Sequence, residues 1–111
     1  MELITKEFKR CDVVEVFGRI DSQTAPQLAD ALSKVVDAGR YRIVLDLKGT
    51  NFVSSAGLRV FLDVQKTCKR WNRGQVVLCC VPDQIYNALD MVGFLPLFSI
   101  FDDVTEAVGS F

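Results

Sequence analysis

Two short and almost continuously apolar segments most constrain the fold of this chain. They are "RIVLDL", residues 42–47, and "QVVLCCV", residues 75–81. A strand with apolar side chains at consecutive positions is buried on both faces, which is typical of a parallel sheet covered by helices. Because apolar residues recur at helical spacing between these two segments, the sequence predicts a β-α-β unit with a right-handed crossover.

The same alternation of strands and helices extends along the whole chain. Residues 2–8 and 12–20 predict two strands joined by a hairpin turn. Helices are predicted over residues 24–39 and 83–93, and a short strand over 97–101 precedes a terminal helix. The predicted order is β-β-α-β-α-β-α-β-α. This order predicts an α/β fold, with a mixed and mostly parallel sheet of about five strands packed with about four helices.

Three local signals define the first predicted helix. Thr24 and Gln27 have the spacing of a capping box, in which both side chains bond to backbone N–H groups. Pro26 lies in the first turn, where a missing N–H does no harm. Gly39 stands where a helix commonly ends in glycine.

Length and composition favour one domain that spans residues 1–111. The chain is 50% hydrophobic and 24% charged, and its length suffices for one core but not for two. A net charge of −1 argues against a nucleic-acid-binding protein. No apolar run approaches the roughly 20 residues that span a bilayer, and the first ten residues lack the apolar region of a signal peptide. We therefore expect a cytoplasmic protein without membrane insertion.

The chain has no histidine and four cysteines, which limits its possible chemistry. A Ser-His-Asp or Cys-His mechanism and a Cys/His zinc site all require histidine. No CxxC motif occurs. We interpret the cysteines as buried small apolar residues, and we expect no enzyme, no metal and no cofactor. The four are Cys11, Cys68, Cys79 and Cys80.

The stretch "GTNFVSSAGLRVF", residues 49–61, joins the buried strand to the next helix. Residues 49–51 predict a turn, and Ser54 or Ser55 is predicted to be the N-cap of a helix running on from Ala56. Free N–H groups and the helix dipole favour an anion here, so a phosphate on either serine is compatible with the fold. The residues alone leave open whether the serines only cap the helix or whether one is a switch.

Gly57 in the first turn of this helix also requires an explanation, because glycine is less favourable there than alanine. Close approach of another backbone or of a partner is one reason to keep it. If a partner lies there, Gly57→Arg should abolish binding and leave the fold intact. The stretch lacks the Gly-Lys-Ser/Thr ending of a P-loop and has no G-x-S-x-G elbow, which argues against nucleotide binding or hydrolysis.

The segments "GRID", "TAPQLADAL" and "RIVLDLKGTNFVSSAGLRVFLDVQK" resemble the STAS domain, the fold of bacterial anti-sigma factor antagonists. The resemblance covers nearly the whole chain with a matching order of elements. Its most specific part is "FVSSAGLRV" after "IVLDL". It implies a single STAS domain over residues 1–111.

The resemblance implies a binding module that is switched by phosphorylation. In this family the unphosphorylated antagonist binds an anti-sigma factor, which is also a GHKL-type serine kinase, and so frees the sigma factor. The kinase phosphorylates a serine at the strand–loop–helix junction, and a PP2C-type phosphatase restores it. Matching "SSAGL" to the family pattern implies Ser55 as the phosphoacceptor. Ser54, the alternative acceptor, occupies the position where many members carry aspartate.

The resemblance also implies where the partner binds. The loop of residues 18–22 should lie beside the serines and share the partner surface. The implied partner-binding residues are Asp21, Ser22, Thr24, Ser54, Ser55, Ala56, Gly57 and Leu58. Two other functions remain open. One is an unmodified STAS adaptor subunit of a transporter or other signalling complex; the other is a small enzyme or nucleotide-binding domain, which the missing histidine disfavours.

Overall fold

The fold is built on a mixed six-stranded sheet. The structure, a computed structural model, describes residues 1–111. Its strands are β1 (Glu2–Glu7), β2 (Asp12–Ile20), β3 (Arg42–Asp46), β4 (Thr50–Val53), β5 (Gln75–Cys79) and β6 (Ser99–Phe101). Its α-helices are α1 (Ala25–Asp37), α2 (Ser55–Lys69), α3 (Asp83–Met91) and α4 (Val104–Gly109). The predicted α/β class with a mostly parallel sheet is confirmed.

The strands follow the order β1-β2-β3-β5-β6 across the sheet. The first two pair antiparallel, as the predicted hairpin requires, and all other pairs are parallel. The sixth strand, β4, is absent from the predicted order. It pairs with the end of β2, whereas β3 pairs with the beginning of β2. Thus β3 and β4 follow one another along the same side of β2, with only a short turn between them.

The central strands bury side chains on both faces of the sheet, which explains their continuous apolar sequence. In β3, Ile43 and Leu45 join the large core that contains residues of α1, α2 and α3. Val44, between them, joins a smaller core that contains Ala107 of α4. Three helices therefore cover one face and α4 covers the other. No helix of the chain has the length and apolar character needed to cross a membrane.

The predicted capping box at the start of α1 is wrong. Thr24 is the residue before the helix, but its side chain caps no helical N–H. The Thr24 hydroxyl donates to the carbonyl of Arg19 at 2.8 Å and accepts from the N–H of Asp21 at 2.8 Å. These partners are better placed because the chain turns sharply between β2 and α1. Thr24 therefore fixes this loop, and the predicted glycine at the other end of the helix, Gly39, has φ +81°.

Candidate functional site

Ser54 is the N-cap of α2. Its backbone is extended, and its hydroxyl accepts a hydrogen bond from the N–H of Gly57 at 3.3 Å. Its own N–H donates to the carbonyl of Ile20 at 2.8 Å, which ties the start of the helix to the end of β2. The structure therefore assigns the cap, which the sequence left open between two serines, to Ser54.

Ser55 differs from Ser54 in both exposure and bonding. It is the first residue of α2 and is exposed, whereas Ser54 is half-buried. None of the hydrogen bonds made by side chains in this chain involves the Ser55 hydroxyl. The first N–H groups of a helix have no partners within the helix, and the N–H of Gly57 finds one in the Ser54 hydroxyl. Ser54 therefore caps α2, whereas the hydroxyl of Ser55 is exposed and makes no hydrogen bond within the chain.

Gly57 and Leu58 lie beneath this surface. Leu58 is only 6% exposed. A Cβ atom at Gly57 would lie 2.6 Å from Cγ2 of Ile20 and 2.7 Å from Cγ2 of Val53. Because glycine has no side chain, the first turn of α2 can pack directly on β2 and β4. This close packing explains why a glycine occurs at this helical position. The expectation that Gly57→Arg leaves the fold intact is wrong, because the new side chain would displace two β-branched residues of the core.

The loop between β2 and α1 lies beside the two serines. Ile20 and Val53 are paired in parallel register, so the residues that follow them leave the sheet side by side. This pairing brings together the two chain segments that contain the sequence-predicted site residues. Those near the surface are Asp21, Ser22, Thr24, Ser54, Ser55 and Ala56.

Asp21 is held in place by the backbone of its own loop. Its Oδ1 accepts hydrogen bonds from the N–H groups of Thr24 at 3.1 Å and Gln23 at 2.9 Å. These two bonds, that of Thr24 first, lower the pKa of the Asp21 carboxyl below its ordinary value. The site therefore carries a fixed negative charge at neutral pH, next to the exposed Ser22.

Arg19, from the predicted partner loop of residues 18–22, lies on the same surface together with Phe52, which was not predicted to belong to the site. The guanidinium carbon of Arg19 lies 4.2 Å from the centre of the Phe52 ring, a cation–π contact. Nε of Arg19 is also 3.8 Å from a carboxylate oxygen of Asp21. The two residues occupy paired positions on β2 and β4. No sequence signal identified Phe52, because its pairing with Arg19 depends on β4, the strand that was not predicted.

This geometry can be compared with that of known proteins. A sequence model described as the STAS domain matches residues 2–107 of the chain. The chain belongs to the STAS domain family. BtrV of Bordetella bronchiseptica, a protein named as an anti-sigma factor antagonist, is 36% identical to this STAS chain over 94 residues. The alignment covers 85% of this chain and 80% of BtrV.

Solved structures share the STAS fold. The anti-sigma factor antagonist SpoIIAA in its unphosphorylated form superposes with a TM-score of 0.84 at 15% identity, covering 98% of this chain and 95% of SpoIIAA. The phosphorylated form of the Bacillus protein gives 0.77 at 16% identity, with 98% of each chain covered. A sulfate transporter family protein from Wolinella succinogenes gives 0.72 at 21% identity, covering 88% of this chain and 81% of that one. At these identities the structures support the common fold alone.

The STAS junction of this chain offers groups for recognition. One hydroxyl is exposed at a helix N-terminus, one carboxylate is fixed beside it, and one guanidinium lies over an aromatic ring. These groups can bind a complementary protein surface, and the hydroxyl can accept a phosphate.

Proposed function

We propose that the chain is an anti-sigma factor antagonist whose unphosphorylated form binds an anti-sigma factor, and that phosphorylation of Ser55 ends this binding. The antagonist role is supported by membership of the STAS family and by 36% identity to BtrV. The switch rests on one observation. Ser55 is exposed at the first position of α2 with a hydroxyl free of intramolecular hydrogen bonds, while Ser54 caps the helix.

The proposed switch works through charge. A phosphate on Ser55 adds roughly −2 of charge at neutral pH. The N–H groups and dipole of α2 favour an anion at this position, so the modified chain stays folded. The ionised Asp21 lies on the same surface, so the phosphate adds to its negative charge, which the nearby Arg19 opposes. A partner that fits the neutral hydroxyl loses affinity, because binding would either desolvate the new charge or bring it close to a like charge on the partner.

The proposed partners follow from the family. The anti-sigma factor is also the GHKL-type serine kinase that modifies Ser55, and a PP2C-type phosphatase reverses the modification. The chain is then the substrate of both enzymes and performs no catalysis itself. This cycle takes place in the cytoplasm, where the sigma factor and its regulators meet.

Intact-mass spectrometry tests the proposal. The full chain is incubated with ATP and each anti-sigma-type kinase of its own source, together with Ser55→Ala and Ser54→Ala as a matched pair. We expect a gain of one phosphate in the wild-type chain and in Ser54→Ala, and none in Ser55→Ala. A phosphate that persists in Ser55→Ala and disappears in Ser54→Ala would assign the switch to Ser54. Absence of phosphate with every kinase, while a known antagonist is modified, would refute the phosphorylation switch.

A second candidate is an unmodified adaptor subunit of a transporter, since the sulfate transporter family protein from Wolinella succinogenes has the same fold. The two candidates differ in their response to Ser55→Ala. This variant should lock an antagonist in its binding state because it cannot be phosphorylated, whereas Ser55→Asp should weaken binding of an antagonist to its anti-sigma factor. An unmodified adaptor has no phosphorylated state, and its complex with the transporter should tolerate the phosphoacceptor variant Ser55→Ala without any change in regulation.

A further inference from the structure

A separate cluster of reactive side chains lies where β3 and β5 end. It consists of Asp46, Cys79 and Cys80, and one ligand atom from each lies within 4.8 Å of the other two. Asp46 and Cys79 are paired residues of the two parallel strands. The cluster thus joins residues that are 33 positions apart in sequence, which is why no motif spacing revealed it.

The backbone at Cys80 brings the two sulfur atoms together. Consecutive residues of a strand normally point to opposite faces of a sheet. Cys80 directly follows β5 and has φ +56°, a left-handed conformation that non-glycine residues rarely adopt. In this conformation Cys80 packs against the same α4-side core to which Cys79 belongs. The N–H of Cys80 donates to the carbonyl of Phe101 at 3.1 Å, which holds this conformation in place.

We propose that Asp46, Cys79 and Cys80 form a binding site for a thiophilic divalent cation of the zinc class. Two thiolates and a carboxylate oxygen are ligands that zinc accepts, and three protein ligands leave a fourth position for water. Ligand bonds of about 2.0–2.3 Å at tetrahedral angles put the ligand atoms about 3.3–3.8 Å apart. The present separations, all within 4.8 Å, would have to shorten by at most about 1 Å to reach the upper end of this range.

The surroundings of the cluster suit a cation. Cys80 is half-buried and lines a surface cleft together with Asp83 and Asp102. The two carboxylates attract a cation into the cleft that leads to Cys80. Oδ1 of Asp46 accepts the N–H of Lys48 at 3.0 Å, which orients the carboxylate and leaves its second oxygen for a ligand bond. Binding releases the two thiol protons to solvent as the sulfur–metal bonds form.

Cys68 differs from the cysteines of this cluster in its surroundings. Like Cys79 it is fully buried, but it lies in the large core and belongs to no group of ligand atoms. It is therefore a matched control for a cysteine that only packs. A cation at the proposed site would link the ends of β3 and β5 just before the turn that leads to β4 and the serine junction.

Metal titration of the reduced, chelator-treated full chain tests the proposal. Co²⁺ is the optical probe and Zn²⁺ the competitor, and no partner protein is needed. We expect one Co²⁺ per chain with thiolate-to-cobalt charge-transfer absorption in the near ultraviolet, displacement by Zn²⁺, and a higher melting temperature with Zn²⁺. Cys80→Ser and Asp46→Asn should each weaken binding at least tenfold, with folding checked by circular dichroism, and Cys68→Ala should bind as the wild type does.

Two results would overturn this site. One is a folded wild-type chain that shows no thiolate-to-cobalt absorption at millimolar Co²⁺. The other is absorption that stays unchanged in Cys80→Ser or disappears in Cys68→Ala, since either would place the bound metal elsewhere. Neither result depends on the proposed phosphorylation at Ser55, so the two proposals can fail separately.

Discussion

Ser54 and Ser55 are adjacent, but truncating each to alanine should have opposite consequences. Ser54→Ala removes the side chain that accepts the N–H of Gly57, and it should lower stability without affecting phosphorylation. Ser55→Ala removes an exposed hydroxyl with no hydrogen bond, and it should abolish phosphorylation without lowering stability. The pair therefore separates the structural role of this junction from its proposed regulatory role.

The loss in free energy of unfolding that we expect for Ser54→Ala follows from the geometry of the cap. Replacing a capping serine by alanine costs about 0.5–2 kcal/mol. The hydrogen bond from the N–H of Gly57 is 3.3 Å long, beyond the usual range for N–H···O bonds, so the lower half of that range applies. We expect a loss of about 0.5–1 kcal/mol, which for a domain of this size lowers the melting temperature by about 2–5 °C. Ser55→Ala should stay within about 0.5 kcal/mol of the wild type, because the site is exposed.

Equilibrium unfolding in urea measures both variants, and the phosphorylation assay is run on the same preparations. The slope of free energy against urea should be the same for all three chains, because the substitutions do not alter the surface exposed on unfolding. A loss of stability in Ser55→Ala with none in Ser54→Ala would refute the assignment of the cap. Equal losses in both would show that the two hydroxyls share the role of cap.

Other measurements address the surroundings of the junction. Gly57→Ala should lower the free energy of unfolding by about 1 kcal/mol in urea, because overpacking costs about 1–3 kcal/mol and exceeds the gain of roughly 1 kcal/mol in helix propensity. Gly109→Ala, where a Cβ would meet nothing within 4 Å, should show no loss. The Asp21 carboxyl should titrate below its ordinary pKa in carbon NMR. Its contribution to stability is then present above the unfolded-state pKa and lost as pH falls through the folded-state pKa, and an ordinary pKa would contradict the hydrogen bonds of its loop. Arg59 lies four residues after Ser55 on α2 and now pairs with an aspartate at 3.2 Å. Since residues four apart are neighbours, Arg59→Gln should destabilise the phosphorylated chain more than the unphosphorylated one, and equal effects would exclude a phosphate–arginine contact.

Much of the fold could be predicted because its determinants are local. The apolar periodicity of residues 42–47 and 75–81 identified strands buried on both faces, and these strands indeed contribute to two cores. The strand β4 could not be predicted in this way, because it has only four residues and follows a short turn. Its existence depends on β2, thirty residues earlier, where the pairing register shifts after Gly18 at φ +98°. Such a pairing is a property of the assembled sheet.

The site was predictable in its location but less so in its details. The spacing of Thr24 and Gln27 satisfies the capping-box rule, yet the hydroxyl of Thr24 bonds within the preceding loop. Both serines suit an N-cap, and only the backbone conformation assigns the cap to Ser54 and a free hydroxyl to Ser55. Local rules state which bonds a residue can make, whereas the competing partners are known only once the strands are paired.

The cap at Ser54 and the proposed phosphoacceptor at Ser55 are different residues, which bears on how this chain differs from other STAS proteins. Many members carry aspartate where this chain has Ser54, and aspartate and serine are about equally good N-caps. The substitution therefore preserves the start of α2 but removes one negative charge beside the acceptor. The surface next to Ser55 is then less negative before modification, and the proposed phosphorylation would add its charge to this less negative surface. Because charge complementarity governs which partners associate, this position can alter the choice of partner without altering the fold.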